Sequence, residues 1–263
     1  GHIIIGDLKS SDLVVIKIVK CLNKHLIMTS LKNWDYKTWL SSSKYIYSFN
    51  NFILKQKKLD KKSRVLDIGC GRGKIIGNLS KKLKFINKPI GLDVESHKDK
   101  SKNIIFKNID GYSFIDKTKI SFDLILIKQT IHLLKKNQIT KLLLLCKKKL
   151  NKNGKILILS IDPKMNEIPT FNLMNKKLNK SLKTDKKTFD LILKTFPNLK
   201  IKYFVYHVKI LKQTYLKMIK NRYISILLDL TNKQIKNGLN EIDQNYKKEL
   251  NFKDQLICLI IEK

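Results

Sequence analysis

One segment of the chain carries chemistry in its residue types and their order: Val65-Leu66-Asp67-Ile68-Gly69-Cys70-Gly71-Arg72-Gly73-Lys74. An apolar run ends on an acid and passes into a Gly-x-Gly-x-Gly turn, and a helical pattern follows. Glycine permits tight backbone geometry and close approach of a ligand, and a helix start offers unpaired N–H groups. A turn of this kind at the carboxyl end of a buried parallel strand is a ligand-binding turn. Asp67 stands two residues ahead of the first glycine, where a carboxylate would repel a pyrophosphate, so the expected ligand carries a cationic group. A second candidate is Arg222, one of 3 Arg beside 52 Lys. Its guanidinium suits a bidentate grip on a carboxylate or phosphate, and a salt bridge on a helix surface is the plainer alternative. Cys21, Cys70, Cys146 and Cys258 form no CxxC pair and no clustered His accompanies them, so they read as free thiols, with no metal site.

The elements that must position these residues are legible as short β-branched or apolar runs alternating with longer Lys-rich amphipathic stretches. Strands are expected over 64–68, 89–94, 103–109, 122–127, 155–161, 201–208 and 255–261, and helices over 74–84 and 135–150, closing on Asn or Gly. This βαβ order predicts an α/β fold, a doubly wound, mostly parallel sheet of seven strands buried on both faces. About ten residues separate Val94 from the next strand, too few for a normal crossover helix. The long segments 166–200 and 209–253 are helical in pattern and flank the sixth strand, where they could cover a site. Residues 29–59 read as a helical cap in two pieces broken at Ser41-Ser42-Ser43. Residues 1–28 read as an N-terminal extension beginning in a cloning scar, Gly1-His2, and 29–263 as a single domain. Within it, 60–162 form the ligand-binding core, 163–253 the substrate-side helices with strand six, and 254–263 the final strand.

With its apolar strand running into Asp67-Ile68-Gly69-Cys70-Gly71, the chain resembles the class I S-adenosylmethionine-dependent methyltransferases. The resemblance covers about residues 60–162. It implies a Rossmann-like fold, S-adenosyl-L-methionine as cofactor and S-adenosyl-L-homocysteine as product. Asp93 in Ile90-Gly91-Leu92-Asp93-Val94, 22 residues beyond Gly71, stands where the family holds both ribose hydroxyls. Asp110-Gly111-Tyr112 matches the acidic position near the adenine amino group. Phe122-Asp123-Leu124-Ile125-Leu126-Ile127, followed by Lys128-Gln129-Thr130-Ile131-His132, matches the fourth motif, whose end faces the methyl group. The resemblance thus assigns Asp67, Gly69, Cys70, Gly71, Asp93, Asp110, Gly111 and Lys128 to the cofactor. It also makes His132 a base or orienting group, with capping or packing of the next helix as the alternative. Gln129, His132, Arg222 and Tyr223 fall on the substrate side, because 215–230 corresponds to part of the substrate lid in similar small-molecule enzymes. Trp34 and Tyr36, with Trp39 and Tyr45, are placed to close over the pocket, although packing on the sheet accounts equally for Trp39 and Tyr45. The 129–132 turn and the helical C-terminal cover are similar to those of trans-aconitate and related small-acid methyltransferases.

The net charge of +34 is weak evidence for a polyanionic partner. Lys, Asn and Ile abound and Ala is absent, as A/T-biased codons produce, and the lysines spread over every segment instead of one face. No basic strip interleaved with exposed aromatics marks a nucleic-acid groove. No apolar run approaches the roughly 20 residues of a membrane span. The expectation is a soluble cytoplasmic enzyme that methylates a small metabolite, an acid being the favoured class. An RNA or cap methyltransferase and a non-catalytic cofactor-binding subunit are the alternatives, and oligomeric state is left open.

Overall fold

A computed structural model describes residues 37–263. The extension 1–28, Trp34 and Tyr36 lie outside the described residues. All seven expected strands form one sheet: β1 Val65–Ile68, β2 Ile90–Asp93, β3 Ile105–Asn108, β4 Phe122–Lys128, β5 Leu150–Ile161, β6 Lys200–Leu211 and β7 Glu249–Glu262. Their order is β3-β2-β1-β4-β5-β7-β6. The first five pair in parallel, whereas β7 runs antiparallel to both β5 and β6. The order reverses between β1 and β4, the switch point at which open α/β sheets bind ligands.

The helices are α1 Ser43–Gln56, α2 Lys74–Leu83, α3 Gly111–Lys117, α4 Lys136–Lys148, α5 Asn172–Thr195, α6 Lys212–Lys220 and α7 Asn232–Asn245. Short 3-10 turns lie at Trp39–Ser41, Ile131–Leu133 and Ser225–Leu227. The serine break is a helix start, because the Ser42 hydroxyl caps α1 by accepting from Tyr45 N–H at 3.2 Å. No helix forms between β2 and β3, as the short connection predicts. The expectation that α2 and α4 close on Asn or Gly is corrected. α2 ends on Lys84 in a left-handed conformation (φ 52°), whose N–H bonds back to Ser80, and α4 ends on Lys149.

Alternating side chains carry the sheet's two cores. On β4, Leu124 and Leu126 join Tyr45 and Phe49 of α1 and Ile76 and Leu79 of α2. Ile125 and Ile127 turn the other way, onto Leu142, Leu143 and Cys146 of α4 and Phe189 and Ile192 of α5. With both faces covered, the carboxyl ends of the parallel strands stand out as the place for a cleft. The β6–β7 pair and the helices between them rise beside it. No helix among the described residues is long and apolar enough to cross a membrane.

Candidate functional site

The glycine turn has the geometry its sequence calls for. Gly69, Gly71 and Gly73 have φ of 77°, 53° and 66°, in the left-handed region that side chains disfavour. Two of them also differ in what surrounds them. A methyl group on Gly69 would run into Thr130 just past β4, whereas one on Gly71 would meet no atom within 4 Å. The turn is therefore packed at its first glycine and open at its second. Gly69 and Cys70 donate their N–H groups to Leu92 O, which ties the turn to β2.

Asp67, the penultimate residue of β1, lies inside the protein, 3% exposed, and its Oδ1 has no hydrogen-bond partner among the described residues. Burial is the main cause that pushes its carboxyl up to about 7; nearby Lys128 pulls it down and Asp93 pushes it further up. Asp93 behaves in the opposite way. Burial raises it, but His97 and the N–H groups of Glu95 and Gly71 outweigh burial and hold it below the usual carboxylate range. Gly71 donates to Oδ2 at 2.8 Å, Glu95 to Oδ1 at 2.9 Å, and His97 Nε2 lies 3.4 Å from Oδ1. Asp93 is thus a fixed, ionised acceptor, and Asp67 a buried carboxyl short of a partner.

These residues open into a cavity of about 470 Å³. It brings together Asp67, Gly69, Cys70, Gly71, Asp93, Asp110, Gly111, Lys128, Gln129, His132, Arg222 and Tyr223, whereas Trp39 and Tyr45 do not line it and are packed in the core. Asp110 caps α3 through Ser113 N–H at 2.9 Å. Burial raises this exposed carboxylate, but the bonds from Ser113 and neighbouring backbone hold it low. Lys128 donates to Gln129 Oε1 at 2.8 Å, and its ammonium lies 5.4 Å from the ring centroids of both Tyr45 and Phe49. Burial lowers the His132 pKa, so its imidazole is neutral at pH 7. Tyr223 is packed into the core, its hydroxyl 3.0 Å from that of Tyr215 and its ring edge-on to Trp39 at 5.4 Å. Arg222 Nη2 is bonded to Leu230 O at 2.8 Å and Asn232 Oδ1 at 3.0 Å, which fixes the 222–232 loop.

Four residues of the site escape the sequence reading. His97 lies one helical turn's spacing beyond Asp93, and this i, i+4 relation to an acid was an available signal. Ser160 lines the cavity with its Oγ unpartnered among the described residues. Asp185 reaches the cavity from α5. Asp254 of β7 does not line the cavity; it is buried and accepts from Trp39 Nε1–H at 2.8 Å. Nothing local in the sequence distinguishes Asp254 from a solvated acid, whereas Asp185 falls among the apolar residues that recur at helical spacing on α5, a signal the periodicity offered.

No protein-family model matches the chain, and no curated protein matches its sequence. Solved structures match it in fold. A candidate methyltransferase of an antibiotic biosynthesis pathway from Anabaena variabilis is 13% identical, with a TM-score of 0.54 over 81% of this chain and 96% of that one. A candidate methyltransferase from Bacillus halodurans is 14% identical, with a TM-score of 0.50 over 82% and 99% of the two chains. At such identities the likeness is one of architecture: the chain has the seven-stranded, Rossmann-like fold of these class I methyltransferase structures.

Proposed function

We propose that the protein is an S-adenosylmethionine-dependent methyltransferase acting on a small metabolite. The observation that carries this reading is the buried Asp67 carboxyl, with Oδ1 unpartnered, at the head of a glycine turn whose middle glycine faces open space. A buried polar atom without a partner costs on the order of 1–3 kcal/mol. A ligand that brings a cationic hydrogen-bond donor to it recovers that cost, and the amino end of the proposed cofactor is such a donor. Asp93 is ionised and held rigidly enough to accept ribose hydroxyls. Asp110 and Gly111 border the cavity where an adenine edge would lie.

Bound there, the cofactor supplies a methyl group activated on a sulfonium. The chain's own part is to hold, orient and exclude water, and alignment of two reactants accounts for roughly 7–11 kcal/mol of a barrier in effective-molarity terms. His132 has a neutral ring and no hydrogen-bond partner among the described residues, so it can accept a proton from an acceptor O–H or N–H, or orient that group. The narrower likeness to small-acid methyltransferases rests on the 129–132 turn and the helical cover. The acid preference leaned on Arg222, whose guanidinium holds Leu230 and Asn232, and it does not enter the proposal.

The test is incubation with methyl-labelled S-adenosylmethionine and a nucleic-acid-free metabolite extract, with total RNA in a parallel reaction. Label in a metabolite is the expected result and identifies the acceptor by mass. Label in RNA alone overturns the substrate class. Stabilisation by S-adenosylhomocysteine with no transfer to either pool identifies a non-catalytic binding protein.

A further inference from the structure

The buried side of α5 follows Met174, Leu178, Leu182, Asp185, Phe189 and Ile192, with intervals of three and four residues. This is the stripe an amphipathic helix presents to a core; with Thr188, also buried, it has seven members, of which five are apolar and Asp185 alone is charged. Asp185 interrupts it. The residue is 8% exposed, lines the cavity, and has no hydrogen bond or ion pair with any described residue. Seven lysines on the same helix leave it unpaired. A carboxyl in that position weakens the fold unless something meets it, and the space it faces is the cavity.

From this geometry we infer that Asp185 is the recognition group for the methyl acceptor, and that the acceptor carries a cationic nitrogen on a largely apolar body. The inference rests on the methyltransferase reading for the identity of the second ligand as an acceptor. Leu178 and Leu182, on the same helix, and Ile224 and Ile226, in the adjoining turn, supply the apolar surround. Burial pushes the Asp185 carboxyl up to about 6, which leaves it ionised at neutral pH, and it is well placed to gain from a positive partner in a site of low dielectric. The charge of the cavity agrees. Asp67, Asp93, Glu95, Asp110 and Asp185 line it beside Arg72, Lys74, Lys128 and Arg222, in a chain with 21 acidic and 55 basic residues. Acids are concentrated where the ligands bind, although bases dominate everywhere else. At physiological salt, exposed charges are screened beyond about 8 Å, so the lining groups, and not the distant lysines, select the ligand.

The experiment uses thermal unfolding of the full chain loaded with S-adenosylhomocysteine, at pH 7.5. The probes are 2-phenylethylamine, 2-phenylethanol and 3-phenylpropionate, which share an apolar body and differ in their polar head. The amine is expected to raise the Tm of the loaded protein while the alcohol and the acid do not, and Asp185→Asn is expected to abolish the difference. An equal or larger shift with the acid or alcohol, no shift with the amine, or an amine shift that survives in Asp185→Asn overturns the inference. A measurement without a second ligand completes the test. Asp185→Leu restores the apolar stripe and is expected to raise the Tm of the ligand-free protein by about 2–4 °C, whereas a fall shows that Asp185 serves the fold. If S-adenosylhomocysteine fails to stabilise the wild type, the methyltransferase reading itself is overturned. If it stabilises the wild type and not Asp185→Asn, Asp185 belongs to the cofactor and the inference fails alone.

Discussion

The two glycines of the turn differ at the scale of single residues, and this separates folding from binding. Gly69→Ala must fit a methyl group against Thr130 at a left-handed backbone position, and is expected to lower stability clearly. Gly71→Ala meets open space and pays only the left-handed penalty of about 1–2 kcal/mol, yet its methyl group stands in the ligand's approach. It is expected to remain folded and lose S-adenosylhomocysteine binding, read by calorimetry and thermal unfolding of the two variants side by side. Asp67 gives a pH signature. Its carboxyl is near 7 in the folded protein and near 3.8 when unfolded, so between those values the folded chain holds a proton that the unfolded chain has released. Stability of the ligand-free protein should therefore fall as pH rises from about 4 to 7, by something on the order of 4 kcal/mol for the full shift. Asp185, raised to about 6, adds in the same sense over the lower part of that window. Asp67→Asn is expected to flatten the pH dependence of the denaturation midpoint, and an unchanged slope would contradict the assignment. For His132, replacement by Ala is expected to lower turnover by about 10²–10⁴-fold if the ring takes a proton, with cofactor affinity retained. Near-normal turnover would mean that the ring only packs.

At the scale of elements, the N-terminal turn is tied to the far end of the sheet by one buried hydrogen bond, from Trp39 to Asp254. Trp39→Phe keeps an aromatic ring near Tyr223 and Phe252, which Trp39 meets edge-on at 5.4 and 5.3 Å, but removes the donor. Asp254 then stays buried without the indole donor, with Lys128 the nearby positive charge. The expected loss is about 1–3 kcal/mol, measured as a lower denaturant midpoint with an unchanged m-value. This tie also shows where sequence reading stops. Strands were legible because lysines punctuate apolar runs whose length suits a buried strand, and the glycine turn because its backbone needs are local. β6 and β7 exceed their expected bounds because their antiparallel pairing carries polar residues such as Lys200, Lys253 and Glu249 along the ladder, whereas β5 begins early because Leu150 pairs with Phe122 of parallel β4. Asp254 and Ser160 acquire their roles only when distant elements meet, over separations that no periodicity encodes. Arg222 illustrates the converse: its chemistry was visible, but its partners Leu230 and Asn232 depend on how the loop closes.

The net charge of +34 and the acid-rich cavity act at different ranges over the whole molecule, and they predict different dependences on salt. Lysines spread over the surface attract any polyanion through counterion release, so RNA binding should weaken steeply and linearly in log salt. They do not place a phosphate in the cleft, where five acids outnumber the four bases Arg72, Lys74, Lys128 and Arg222 and Asp185 has no ion-pair partner among the described residues. RNA is therefore expected to bind at about 50 mM salt, release by about 200 mM, and gain no methyl label at either. S-adenosylhomocysteine affinity should change little across the same range, because its contacts lie inside the cavity and are poorly screened. Filter binding and calorimetry on one preparation read both quantities. A cofactor affinity that falls in step with RNA binding would place the ligand on the lysine surface and remove the cavity from the argument. Labelled RNA at 200 mM salt would instead show that the surface charge serves the active site.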